Sequence, residues 1–77
     1  MAWYLMMTLK IQGMPTQREL QALIGGGRMA GQGAVMGSEI FAMAVRFETR
    51  ALAEEGLERF EASAFTVQHH ELKEYDE

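Results

Sequence analysis

The sequence predicts an α+β protein of one domain: a four-stranded antiparallel sheet with two helices on one face, in the order strand, helix, strand, strand, helix, strand. Three observations carry this prediction. Apolar residues alternate strictly in two stretches, 3–11 and 41–47. A threonine opens a helical pattern twice, at Thr16 and at Thr49. Six of the eight glycines cluster between Ile24 and Gly37, where they part the first helix from the next strand.

In the first strand Trp3, Leu5, Met7, Leu9 and Ile11 alternate with Tyr4, Met6, Thr8 and Lys10, so one face is wholly apolar. After Gly13, Met14 and Pro15, Thr16 stands three residues before Glu19 as a capping box. Leu20, Leu23 and Ile24 then share one helical face, which predicts a helix over 17–24. The triple glycine at 25–27 stops it, because glycine accepts the left-handed backbone that other residues resist. Residues 29–36 read as a weak, glycine-broken strand, and Gly37 with Ser38 suits a two-residue hairpin turn. Its partner strand is clearer: Phe41, Met43, Val45 and Phe47 alternate with Ala42, Ala44 and Arg46. Thr49 caps a second helix with an inward stripe of Leu52, Ala53, Gly56, Leu57 and Phe60. Glu54, Glu55, Glu58, Arg59 and Glu61 form its wet side, with Glu55 and Arg59 in the favourable i,i+4 order. Residues 62–64 close that helix, 65–72 form the last strand, and 73–77 are a charged C-terminal tail. This order is the split βαβ, or ferredoxin-like (βαββαβ), arrangement, with 1–77 as a single domain.

A chain of 77 residues buries only about 60–65% of the surface that its unfolded form exposes. With 48% hydrophobic and 23% charged residues it is too apolar for disorder, and with no cysteine it has neither disulfides nor thiolate metal sites to brace it. The fold therefore rests on a packed core, with a second copy as a further source of burial. The longest apolar run, 2–7, is far short of the roughly 20 residues that a bilayer requires, and no basic segment precedes it. The expectation is a cytoplasmic protein without membrane association.

The formal net charge of −4 is unevenly spread. Residues 1–38 carry Lys10, Arg18 and Arg28 against Glu19, whereas residues 39–77 carry four basic side chains against ten acidic ones. Nucleic-acid binding calls for the opposite sign in a clustered patch, so this balance argues against direct nucleic-acid contact and allows a basic protein partner instead.

Gly25, Gly27 and Ala30 satisfy the G-x-G-x-x-A spacing of a dinucleotide loop, but such a loop precedes a helix, whose free N–H groups hold the phosphate. Here the glycines follow a helix, where exposed carbonyls repel phosphate. A Walker loop is absent as well, since Gln32 and Gly33 stand where Lys and Ser or Thr are required. The turn Lys10-Ile11-Gln12-Gly13-Met14-Pro15-Thr16-Gln17-Arg18 resembles that of the acylphosphatases, V-Q-G-V-x-F-R, whose backbone amides and arginine bind phosphate. Arg18 comes one residue late for that pattern, Pro15 lacks an amide donor, and the chain has no asparagine to match the family's catalytic one. The resemblance implies at most a degenerate acylphosphatase-like enzyme. The same corner is similar to that of the ACT modules, which implies a homodimeric small-ligand-binding regulatory domain with a site near Gly13 to Arg18.

His69 and His70 are adjacent, so a strand points them to opposite faces, and no cysteine or third histidine completes a metal site. Ser38 falls in a turn and Ser63 at a helix end, neither in a nucleophile-elbow pattern. An RNA-binding sheet of this topology displays aromatic residues from strands one and three, but the third strand here sends Phe41 and Phe47 inward. The outward face, with Tyr4, Met6 and Thr8 beside Ala42 and Ala44 and with Gln68, His70 and Leu72 on the last strand, is apolar and adaptable.

The leading expectation is a small acidic non-enzymatic interaction module that binds and regulates or inhibits a larger protein. Phage and mobile-element inhibitors that cover a basic nucleic-acid-binding surface are the closest class. Partner contacts are assigned to Glu54, Glu55, Glu58 and Glu61 by charge and to Tyr4 and Met6 by apolar contact, with Arg28 and Met29 as loop contacts. A homodimer through the open sheet face is the other expected association, and no catalytic residue, metal or cofactor is expected.

Overall fold

The computed structural model describes residues 1–11, 13, 15–34 and 39–77. It is an α+β structure with an open, four-stranded antiparallel sheet and two helices. Strand β1 (Ala2–Lys10) lies inside the sheet. Its alternation buries Leu5, Met7 and Leu9, with Ile11 just beyond. Strand β3 (Ile40–Phe47) pairs with it from Trp3↔Phe47 to Lys10↔Ile40, which sets Phe41, Met43, Val45 and Phe47 on the same buried face. Strand β2 (Arg28–Ala34) lines the outer side of β3, and β4 (Thr66–Tyr75) the outer side of β1, giving the order β2-β3-β1-β4.

Helix α1 (Gln17–Ile24) begins as its cap predicts, with the Thr16 hydroxyl oxygen accepting from the Glu19 N–H at 3.1 Å. It stops at Gly25, whose φ of 59° needs a residue without Cβ and whose N–H reaches the Gln21 carbonyl. Helix α2 (Arg50–Glu61) is capped by Thr49, which accepts from the Leu52 N–H. Leu20 and Ile24 of α1, with Ala53 and Phe60 of α2, close over the apolar strand face as one cluster. Leu52 departs from the expected stripe: it flanks Ala53 and remains 40% exposed.

Two glycines pack directly against Phe47. A Cβ at Gly27 would stand 2.6 Å from the ring, and one at Gly56 would stand 2.5 Å from it. Both glycines therefore admit an aromatic ring where any other residue would collide. Arg59 is fixed just beyond this point. Its guanidinium donates to the Leu23 and Ile24 carbonyls at 2.8 and 3.0 Å, across the interface between the helices. It neutralises the negative end of α1, where the sequence places it in an ion pair with Glu55. The i,i+4 pair on α2 is instead Arg50 with Glu54, at 2.9 Å.

Three sequence expectations are corrected by strand pairing. Strand β4 runs through Lys73–Tyr75 rather than ending at Leu72, because Ala2, Trp3 and Tyr4 offer it backbone partners. It carries a bulge: Thr8 faces His69 but Leu9 faces Val67, so Gln68 is the extra residue. The bulge reverses the phase beyond it, which turns Leu72 toward the core and puts His69 and Glu71 on the open face in place of His70 and Leu72. Arg28 and Met29 belong to β2 rather than to a loop, held by pairing with Arg46 and Val45, and Met29 packs against the core. The turn expected at Gly37 and Ser38 lies outside the described residues.

The glycine contacts make a sharp stability prediction. Gly56→Ala gains about 1 kcal/mol of helix propensity but forces a methyl into the Phe47 ring, a strain of about 1–3 kcal/mol, so net destabilisation is expected. Gly31, whose added Cβ would meet only open space, should accept alanine within about 0.5 kcal/mol. Urea unfolding of the two variants measures both, and a Gly56→Ala protein more stable than the wild type by the full propensity gain of about 1 kcal/mol would refute the packing account.

Candidate functional site

The same alternation that fills the core leaves the opposite side of the sheet uncovered. Register places Tyr4, Met6 and Thr8 of β1 there, with Ala42, Ala44 and Arg46 of β3, Gly31 and Gly33 of β2, and His69, Glu71 and Lys73 of β4. Two neighbouring strands thus contribute only glycine and alanine at mid-face, while the next two carry longer side chains. The result is a shallow groove of about 470 Å³, with a low floor at Gly31, Gly33, Ala42 and Ala44 and a rim that includes Met6, His69 and Glu71. Added Cβ atoms at Gly31 and Gly33 would touch nothing within 4 Å, so an approaching group meets bare backbone there.

At one end of the groove the face is polar and internally paired. Arg46, 20% exposed in its side chain, binds Glu48 and Glu77 at 2.8 Å each, and the Tyr4 hydroxyl donates to the other oxygen of Glu77. The Tyr4 ring meets Tyr75 edge-on at 5.0 Å, and the Lys73 ammonium lies 5.4 Å from the Tyr75 ring centroid. Arg28 stands directly opposite Arg46 across the β2–β3 pair, two like charges that Glu48 and Glu77 offset. The hydrogen bond from Arg46 is the main cause holding both the Glu48 and Glu77 carboxyls below the usual range. The hydrogen bond to Glu77, followed by partial desolvation, pushes the Tyr4 phenol above its ordinary value.

The partner-contact residues expected from sequence do not come together. Glu54, Glu55, Glu58 and Glu61 are all exposed along the outer flank of α2, opposite Ala53, Gly56 and Phe60, which face the sheet. Tyr4 and Met6 lie half-buried on the far side of that sheet. A full protein layer separates the two sets, so one flat surface cannot engage both. Tyr4 is also engaged with Glu77 and Tyr75, which leaves Met6 as the groove residue of the pair.

Other candidates resolve into structural roles. Among the described residues no group of three or more potential metal ligands occurs, and no helix is long and apolar enough to cross a membrane. The Ser63 hydroxyl donates to the Phe60 carbonyl at 2.6 Å and so finishes α2. The glycines after α1 sit where Arg59 occupies the carbonyl end of the helix. At the Gly13 to Arg18 corner, Gly13 has a φ of 75° and Arg18 is exposed, while Gln12 and Met14 fall outside the described residues. Glu71 and His69 are the groove residues that sequence reasoning missed. A signal existed: Val67 and Leu72, both apolar, are five residues apart, an odd spacing that one strand can bury only through a bulge.

Comparison with known proteins finds no matching family, no matching curated protein and no matching solved structure.

The Arg46 network sets a pH dependence at both extremes. Glu48 and Glu77 have lowered folded values, so their contribution to stability is present above the usual carboxylate range and disappears as pH falls through those values. Tyr4 has a raised folded value, so its contribution is present below about 10 and disappears as pH rises through that value. In a Tyr75→Phe background Tyr4 is the only tyrosine, and its ultraviolet absorbance titration is expected to have a midpoint above about 10 that drops on adding Glu77→Gln. A midpoint insensitive to Glu77→Gln would remove the pairing.

Proposed function

We propose that this protein is a small, acidic, non-enzymatic interaction module that binds a larger protein with a basic surface and regulates or inhibits it. The observation that carries the reading is the outer flank of α2. Glu55, Glu58 and Glu61 are exposed there and, among the described residues, make no ion pair, and Glu54 extends the row beside Arg50. Carboxylates held on a rigid helix cost little ordering entropy when they meet a partner, and clustered charge of one sign steers encounter with a surface of the other. A protein surface that otherwise binds nucleic acid fits best, because its lysines and arginines are already arranged for a row of anions.

The ferredoxin-like arrangement is part of this proposal. It is supported by the order β4-β1-β3-β2, read from the opposite edge of the sheet, and by a helix in each of the connections β1 to β2 and β3 to β4. Such a frame presents α2 and the open sheet as two independent surfaces.

The test is charge reversal on the helix. The protein is used to capture its partner, and affinity is then measured with Glu54, Glu55, Glu58 and Glu61 each replaced by lysine, at low and at high salt. At low salt the quadruple variant should bind at least about tenfold more weakly, and the gap should narrow as salt rises. Equal affinities at low salt would overturn the proposal.

A further inference from the structure

We propose that the open-face groove is a second binding site, separate from the acidic helix, and that it takes an arginine side chain from a peptide or protein segment. The groove's shape and the charge balance of this face support it. The floor at Ala42, Ala44, Gly31 and Gly33 is apolar and low, which suits the methylene stem of a long side chain lying flat on it. Across β1 from Ala44 stands Glu71: Met6 pairs with Ala44 on one side and with Glu71 on the other. Two strand spacings, about 10 Å, separate the β3 backbone at Ala44 from the β4 backbone at Glu71, a gap shared between the reach of an arginine and the reach of Glu71 itself.

Charge complementarity selects the cation. Among the described residues Glu71 makes no ion pair and no side-chain hydrogen bond, although it borders an apolar concavity. The cations of this face stand elsewhere: Arg46 binds Glu48 and Glu77, Lys73 lies over the Tyr75 ring, and Lys10 sits four residues along β1 from Met6, outside the groove lining. Arg28 lies at the polar end, across from Arg46. The groove is thus left with one uncompensated carboxylate, beside the His69 ring and the Met6 thioether. A planar guanidinium can bind a carboxylate through two parallel N–H groups while stacking on an imidazole, whereas an ammonium does only the first and without the fork geometry. Met6 adapts its shape to the stem. Gly31 and Gly33 let the backbone carrying the arginine descend onto β2 without steric contact.

The experiment follows backbone amide NMR shifts of the full chain during titration with acetyl-arginine amide, with acetyl-citrulline amide as the neutral analogue of the same shape. The arginine probe is expected to shift the amides of Met6, Gly31, Ala44 and Glu71, and the citrulline probe to leave them in place. Glu71→Gln should weaken binding by about fivefold, a ratio within reach of an exposed pair. Ala44→Met, which fills the floor without altering charge, should weaken it as well. The quadruple lysine variant of α2 should bind the probe as the wild type does, so loss of partner binding in that variant and loss of probe binding in Glu71→Gln report on different proposals. Equal shifts from citrulline, shifts confined to the α2 glutamates, unchanged affinity in Glu71→Gln, or groove shifts that follow protein concentration alone, as a second copy covering the face would produce, would each overturn the assignment.

Discussion

The structure depends on the seating of one aromatic ring. Phe47 ends β3 with its side chain wholly inside, and the space it occupies exists because Gly27 and Gly56 carry no Cβ. Burying such a ring contributes about 1.5–3 kcal/mol, a large part of the roughly 4–12 kcal/mol that keeps a chain of this length folded. The geometric effect is larger than the energy alone implies. Gly27 leads into β2, Gly56 lies at the middle of α2, and Arg59, one turn further along α2, closes the end of α1. Four of the six elements are therefore positioned, directly or through one intermediary, by the same ring.

Legibility in the sequence followed the range of the forces involved. The alternation of Leu5, Met7 and Leu9 and of Phe41, Met43 and Val45, like the caps at Thr16 and Thr49, is decided within a few residues, and these elements are where the sequence puts them. The phase of β4 is decided by its partner strand. Gln68 looks like any other strand residue until Leu9 and Thr8 fix what stands opposite it, and the resulting shift exchanges Leu72 for Glu71 on the open face. Arg59 misleads for a similar reason: its helical neighbour Glu55 is visible in the sequence, but the bare carbonyls of α1 are visible only in the fold. Tyr4 reads as an exposed contact because Glu77, 73 residues away, could not be known to meet it.

The two surfaces of the molecule differ in physical character as well as in position. On the helical side, charge stands in water on a rigid rod, where attraction is long-ranged, salt-sensitive and tolerant of small errors in fit. On the sheet side, Glu71 borders a low apolar floor of glycine and alanine, where fit depends on shape at short range. Because the sheet keeps them apart, each can change in sequence without disturbing the other: substitutions at Glu55 or Glu58 touch no core residue, and those at Ala42 or Ala44 touch no helix.

The pairing of Ala2 with Tyr75 has a mechanical consequence. It sets the start of β1 beside the end of β4, with Tyr4, Tyr75 and Glu77 fastening the junction. Tension applied at residues 2 and 75 would load the β1–β4 ladder one residue pair at a time, as in opening a zip, and would not shear all its hydrogen bonds together. Since β1 also forms the middle of the sheet, peeling it outward would expose Leu5 and Phe47 early. Separating Ala2 from Tyr75 would thus open the sheet from one corner inward and reach the core within a few residues.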